Sequence, residues 1–314
     1  VPHIEFEVTS KAVYEYVLEH ELDRDPAGAR LGAQPISPED QVEFALRLGM
    51  DAVPCSFFWR PGSADPDDLE PPPSLTEQLS YLERYLRAAQ GTSVGVIASF
   101  SSFFDTAMLA TGLMHAPHRF HRGQALLEQW MDTILENQEK VMRVVCDRFG
   151  SDLALVMIYD NIAHHAGLMF PTDIFMRLFQ PRMARLISPA KEHGKLLLMH
   201  TGGKVSQILP ILRDLGFDGV HPVDPRFNDI FEVRERWKGK LAIVGNVPTA
   251  LLARGTRDRI QERVREHCIR LAPGGGYVLS SSGRVSDGIP PANLVAMTEA
   301  VHKYGRYATL GLVA

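Results

Sequence analysis

The sequence predicts an α/β protein built as a single (β/α)8 barrel of the TIM type, and three observations predict it. Short apolar runs alternate with helix-like stretches, always strand first, and eight such units can be counted along the 314 residues. The runs are continuously apolar, as parallel strands buried on both faces are. Most of the later runs stop in a patch of polar residues, which is where active sites of such barrels lie. Barrels of this length are routinely one domain. Residues 1–314 are therefore expected to form one unit, with a Pro- and Asp-rich loop at 60–74.

Residues 3–8 alternate and read as the first strand, carrying Glu5 and Glu7. Thr9 or Ser10 offers a cap for a helix over 11–22. Ser37 caps the next helix, with Pro38 at its first position, and Gly49 closes it before a second strand over 50–58. The segment 60–74 holds five prolines and several aspartates, and a loop that long suits a lid or binding loop. Helix 75–89, strand 93–100, and helices 106–114 and 122–149 follow. Further strands start at Leu153, Lys195, Gly219, Leu241 and Gly276, each separated by a helix. Pro273-Gly274-Gly275-Gly276 precedes a strand instead of opening a helix, so it reads as a tight turn and not as a phosphate cradle.

Composition is that of a globular protein, 45% hydrophobic and 23% charged. A net charge of −5 with no basic tract argues against nucleic acid or an anionic membrane as partner. No run is long enough to span a membrane. The first residues lack a signal-peptide pattern, and the three cysteines form no CxxC pair. A reducing cytoplasm is expected. Cys146 and Cys268 fall in helical patterns and read as small buried hydrophobes, whereas Cys55 ends an apolar run and could face a site.

The candidate site comes from the strand ends. His200 ends a strand and precedes Gly202-Gly203, which lets a ligand approach closely; the alternative is a hydrogen-bonded structural histidine. His221 holds the same place on the next strand, with Asp224 three residues on. Asp160 and Asn161 end another strand, where a carboxylate could act as base or ligand or cap a helix. His164 and His165 lie in the loop beyond. Asn246 follows a glycine, and Glu5 and Glu7 share one strand face. Ser282 and Arg284 follow the last strand, and Arg284 could grip a carboxylate or form a surface ion pair. Phe57, Phe58, Trp59, Phe103 and Phe104 could wall an aromatic ligand or simply pack the core.

From Asp152 to Tyr307 the wording is similar to the uroporphyrinogen decarboxylase superfamily. The pieces are Leu198-Met199-His200-Thr201-Gly202-Gly203, Leu215-Gly216-Phe217-Asp218, Gly245-Asn246-Val247, Gly274–Leu279, Pro290-Pro291-Ala292-Asn293 and Tyr304-Gly305-Arg306-Tyr307. The resemblance implies a (β/α)8 barrel and one of two chemistries, porphyrinogen decarboxylation or corrinoid-linked methyl transfer. The decarboxylases open with an arginine-rich segment that handles many carboxylates, where this chain has Pro2-His3-Ile4-Glu5-Phe6-Glu7. They place a Gly-His pair after the last strand, where this chain has Gly283-Arg284. The methyltransferases hold zinc with a His-x-Cys and a distant Cys. His200 matches the histidine, but Gly202 replaces the first cysteine, and Ser282 and Gly283 stand near the second.

The expectation is a methyltransferase that moves a methyl group between a small methylated substrate or acceptor and a corrinoid, free or on a partner protein. His200, Asp160, His221, Asn161 and Asn246 would serve catalysis, and Arg284 and Ser282 would contact the cofactor. Any zinc would use His200, Glu7, His221 and Cys55. Decarboxylation is the alternative enzyme reading, and a barrel that binds a ligand or corrinoid protein without catalysis is the third.

Overall fold

The computed structural model describes residues 1–31, 35–59, 71–112 and 120–307. Helices α1 (Lys11–Leu18), α2 (Pro26–Arg30) and α3 (Pro38–Leu48) precede β1 (Ala52–Phe57), and α4 (Leu75–Ala89) leads to β2 (Gly95–Ser101). Helices α5 (Phe103–Ala110) and α6 (Phe120–Phe149) lead to β3 (Leu153–Tyr159). A hairpin, β4 (Ala163–His164) and β5 (Gly167–Leu168), interrupts the alternation before α7 (Thr172–Glu192). Then come β6 (Leu197–His200), α8 (Ile208–Leu215), β7 (Gly219–His221), α9 (Ile230–Trp237) and β8 (Ala242–Val244). Helices α10 (Thr249–Arg254) and α11 (Arg257–Leu271), β9 (Tyr277–Val278) and α12 (Pro291–Tyr304) complete the chain. Seven strands form one parallel sheet in the order β1-β2-β3-β6-β7-β8-β9. No helix among the described residues is long and apolar enough to cross a membrane.

The first expected strand is the main departure. Residues 3–8 make isolated parallel bridges, His3 to Leu279, Ile4 to Ala52 and Val8 to Val285, in place of a continuous ladder. The ladder begins normally, with Leu279 N–H donating to Pro2 O (2.8 Å) and Ile4 N–H to Leu279 O (3.1 Å). The next amide, Ser281 N–H, donates instead to the Glu5 carboxylate at 2.8 Å. A side chain has taken a ladder bond, and regular pairing stops there. His3 and Ile4 nonetheless tie the region of β9 to β1, the two edges of the sheet.

Two helix boundaries also differ from expectation. α1 stops at Leu18 because Glu19 turns left-handed (φ 60°) and its N–H donates to Glu15 O. α5 starts at Phe103, three residues early, because its cap comes from Asp160 on another element, described below. Ser37 caps α3 as expected, and Ser74 forms a capping box with Glu77 at α4. Of the loop 60–74, residues 60–70 lie outside the described residues.

Packing follows the alternation of strand side chains. Ile4, Ala52, Ile97, Met157, Leu198 and Val244 form one small apolar cluster on the concave face of the sheet. The much larger cluster lies between the other face and the helices. Two residues beyond Ile97, Met157 and Leu198 stand Ser99, Tyr159 and His200, which therefore share the concave face towards the strand ends.

The glycine turn before β9 is held from outside. Gly274, Gly275 and Gly276 all have positive φ, which glycine adopts without steric cost. Buried Arg234 of α9 donates to Leu271 O (3.0 Å), Pro273 O (3.3 Å) and Gly276 O (3.4 Å), and also to Gly275 O. Arg234→Met keeps the apolar stem and strands these carbonyls. It is expected to cost roughly 2–4 kcal/mol, read as a lower urea midpoint. An unchanged midpoint would show that the guanidinium is dispensable to the turn.

Candidate functional site

Parallel register brings the strand ends together. Tyr159 pairs with His200 across β3 and β6, and His200 with His221 across β6 and β7. The two imidazoles meet through their Nδ1 atoms at 2.8 Å. Tyr159 lies flat on His200, with centroids 3.8 Å apart and planes 11° apart. Phe6 covers His221 at 4.4 Å. On its far side His221 Nε2 meets Ser280 Oγ at 3.3 Å.

Burial pushes His200 down to about 3. Burial also holds His221 well below the usual histidine range, with repulsion from His200 as a second cause. Both rings are thus neutral at physiological pH. A contact between two Nδ1 atoms then needs one ring to donate and the other to accept, so the rings occupy opposite tautomers. One of the two Nε2 atoms carries a proton and the other a lone pair. The pair presents no net charge to its neighbours.

Asp160 follows Tyr159 in sequence but serves α5. Its carboxylate accepts from Asp105 N–H at 2.7 Å and Phe104 N–H at 3.4 Å, at the first turn of that helix. Burial pushes it up to about 8, repulsion from Asp105 adds to this, and the Asp105 amide opposes it. Asn161 bridges the same region, donating to the Asp105 carboxylate at 2.9 Å and accepting from Gly202 N–H at 3.3 Å. Asp160 and Asn161 thus clamp the loops after β3 and β6 to α5, while their side chains leave the histidine pair alone.

The other expected residues divide. Glu7 binds Arg284, whose Nε donates to it at 2.7 Å. Asn246 is buried and donates to Val223 O at 2.5 Å, and Ser282 Oγ accepts from Thr249 N–H at 3.2 Å at the start of α10. Cys55 is wholly buried among the side chains behind the sheet, where burial raises its thiol above the ordinary range. His164 and His165 stack on each other at 5.0 Å on an exposed hairpin. Phe57, Trp59, Phe103 and Phe104 are core, and Phe104 packs edge-on against Phe170, Phe175 and Phe179.

The expected zinc set is therefore not assembled. His200 and His221 meet, Glu7 and Cys55 stand elsewhere, and no group of three or more His, Cys, Asp or Glu side chains is placed to hold a metal among the described residues. The thiolates of the zinc-binding pattern are replaced by Gly202, Ser282 and Gly283. These donors do not fit a thiolate zinc centre.

A cavity of about 290 Å³ lies beside the pair, lined among others by Glu5, Glu7, Arg284, Phe6, Phe58 and Tyr159. Tyr159 and Phe6, the rings that cover the histidines, thus form part of its wall. Phe58 meets Tyr159 at 5.5 Å with planes 57° apart, making a corner of two aromatic faces. Glu5 is fixed by the Ser281 amide (2.8 Å) and hydroxyl (2.5 Å) and by His3 Nε2 (3.2 Å). The Ser99 hydroxyl also lines the cavity, buried and without a hydrogen-bond partner among the described residues. Phe6 and Ser99 were not singled out from sequence, whereas Tyr159 and Ser280 stand among the polar residues that end their strands. Tyr159 carries a readable signal, since it holds the same terminal place on its strand as His200 and His221.

These features define an α/β protein with a small polar and aromatic cavity near the C-terminal ends of parallel strands. The sequence model of uroporphyrinogen decarboxylase (URO-D) matches residues 58–304. The chain belongs to the URO-D family. No protein with a curated description matches. Among solved structures, a methyltransferase from Methanosarcina mazei superposes with a TM-score of 0.72 at 19% identity, over 98% of this chain and 94% of that one. A glycoside hydrolase family 5 enzyme from Prevotella bryantii B14 gives a TM-score of 0.54 at 13% identity, over 95% and 99%. At such identities the likeness is one of fold.

The raised Asp160 has a measurable consequence. Between about pH 4 and pH 8 the folded protein keeps a proton that the unfolded chain releases, so this group makes stability fall as pH rises through that window. Asp160→Asn keeps an acceptor for the Asp105 amide and removes the titration. Urea unfolding at pH 5 and pH 8.5 is expected to show a smaller loss in the variant than in the wild type. Equal losses would contradict a carboxyl held protonated.

Proposed function

We propose that this protein is a methyltransferase that moves a methyl group between a small methylated substrate and a corrinoid, free or carried by a partner protein. The observation that carries the reading is the size and charge of the cavity. At about 290 Å³ it sits at the lower end of ligand pockets, which run to roughly 1,000 Å³, so it suits a small molecule and not a tetrapyrrole. A polycarboxylated porphyrinogen would also need several cations. The lining carries Arg284, already bonded to Glu7, and beside it Glu5. Of the two chemistries of the family, methyl transfer is the one this lining favours. The fold likeness to a protein described as a methyltransferase, over nearly the whole chain, supports the same choice.

In this reading the sheet closes into a barrel, with residues 3–8 as the eighth stave, supported by the bridges of His3 and Ile4 to the two sheet edges. The corrinoid would supply the reactive cobalt at the open end. Glu5, Glu7 and Arg284 bind and orient the small substrate, and Phe6, Phe58 and Tyr159 exclude water from its methyl group. The His200–His221 pair holds Tyr159 and Phe6 in place.

The test mixes purified protein with cob(I)alamin and a panel of O-, N- and S-methyl compounds and follows absorbance, with uroporphyrinogen as a separate substrate. Methyl transfer from at least one donor is expected, together with unchanged uroporphyrinogen. Carbon dioxide release from uroporphyrinogen well above background would establish the decarboxylase instead. Neither activity, with a ligand still bound, would leave a binding barrel.

A further inference from the structure

We propose that the cavity binds a small neutral polyol, whose hydroxyl groups bond Ser99, Ser56 and the carboxylates of Glu5 and Glu7. The proposal rests on the methyl-transfer reading for the reaction and names the substrate class of the same site. It concerns the part of the ligand that is gripped and adds no step to the transfer.

Ser99 carries the inference. It stands on β2, it is 1% exposed, and its hydroxyl has no hydrogen-bond partner among the described residues. An unbonded buried hydroxyl is destabilising, and such groups are few in folded proteins. Ser99 lines the cavity, so a ligand there can supply the missing bond. Ser56 of β1 is its partner in the parallel ladder and lines the same cavity. Adjacent strands lie about 4.8 Å apart, so neighbouring hydroxyls of one ligand can reach both serines.

The two carboxylates line the same space with acceptor sites to spare. A carboxylate offers about four such sites. Glu5 Oε1 accepts from Ser281 N–H (2.8 Å) and meets His3 Nε2 (3.2 Å), and its Oε2 accepts from Ser281 Oγ (2.5 Å). Arg284 meets Glu7 through Nε and Nη2, and both contacts fall on Oε1. Glu7 Oε2 is left to accept from a ligand.

This mixture of groups selects the class. The ligand must donate to carboxylates, and it must both donate to and accept from serine hydroxyls. A hydroxyl group does both, whereas an ammonium group only donates. A carboxylate only accepts, and in this lining it would meet two carboxylates against one guanidinium. Phe58 and Met157 line the same cavity and give the C–H surface of a polyol an apolar wall. A few placed polar groups on an otherwise apolar lining is the usual composition of a ligand pocket.

The experiment is isothermal titration of the whole chain with three small methylated polyols, pinitol, 3-O-methyl-D-glucose and 5-methylthio-D-ribose. Methoxycyclohexane, which has no hydroxyl, and choline, which is a cation, are the comparisons. At least one polyol is expected to bind at least tenfold more tightly than either. Ser99→Ala is expected to weaken that polyol at least fivefold. Because the hydroxyl has no protein partner to lose, the same variant is expected to keep or raise the urea midpoint. No polyol binding beyond that of methoxycyclohexane, tighter binding of choline, unchanged polyol affinity in Ser99→Ala, or a lowered midpoint in that variant overturns the proposal. The corrinoid assay separates the two readings. Methyl transfer from a compound without hydroxyls, with no polyol bound, removes the ligand class and keeps the reaction. Selective polyol binding without methyl transfer does the reverse.

Discussion

Backbone register across β3, β6 and β7 places Tyr159, His200 and His221 in one row, and the site depends on that row. In a sheet, a slip of one residue sends every side chain to the opposite face. Here it would turn both imidazoles towards the helices and break the Nδ1–Nδ1 contact of 2.8 Å. The apolar residues two positions earlier, Met157 and Leu198, lock the register by filling the concave cluster. Core packing thus fixes where the histidines meet, and the histidines in turn support the rings that wall the cavity.

Two buried carboxyl groups do backbone work around this row. Glu5 takes the Ser281 amide and ends the ladder between residues 3–8 and β9, which leaves Phe6 free to lean on His221. Asp160 takes amides at the first turn of α5 and so positions that helix against the end of β3. Neither touches the histidine pair. Each replaces a missing backbone acceptor, which buried amides require. The polar residues at the strand ends therefore split into a few that meet around the cavity and several that hold loops in place.

The strands were legible in the sequence because burial on both faces leaves an unbroken apolar run, and the ends of β6 and β7 pointed to His200 and His221. Ser37 announces its helix because the cap and the capped amides are neighbours in the chain. Asp160 could not be read in the same way. The helix it caps begins 57 residues earlier, at Phe103, and strand-end position alone is the same for a cap, a ligand and a base. Glu7 and Cys55 joined the expected metal set only by strand position, and the structure turns one to Arg284 and the other into the core. Phe6 was obscure for a further reason. An aromatic residue in an apolar run reads as core until the space in front of it is known.

A neutral, mutually hydrogen-bonded pair of histidines lies beneath an aromatic wall beside the cavity. Nitrogen NMR of protein labelled in its histidine rings tests this most directly, with His200→Gln and His221→Gln spectra used for assignment. Between pH 8 and pH 5, each of the two rings should show one protonated and one bare nitrogen, without titrating. A ring of this pair carrying protons on both nitrogens at pH 6, in the folded protein, would contradict it.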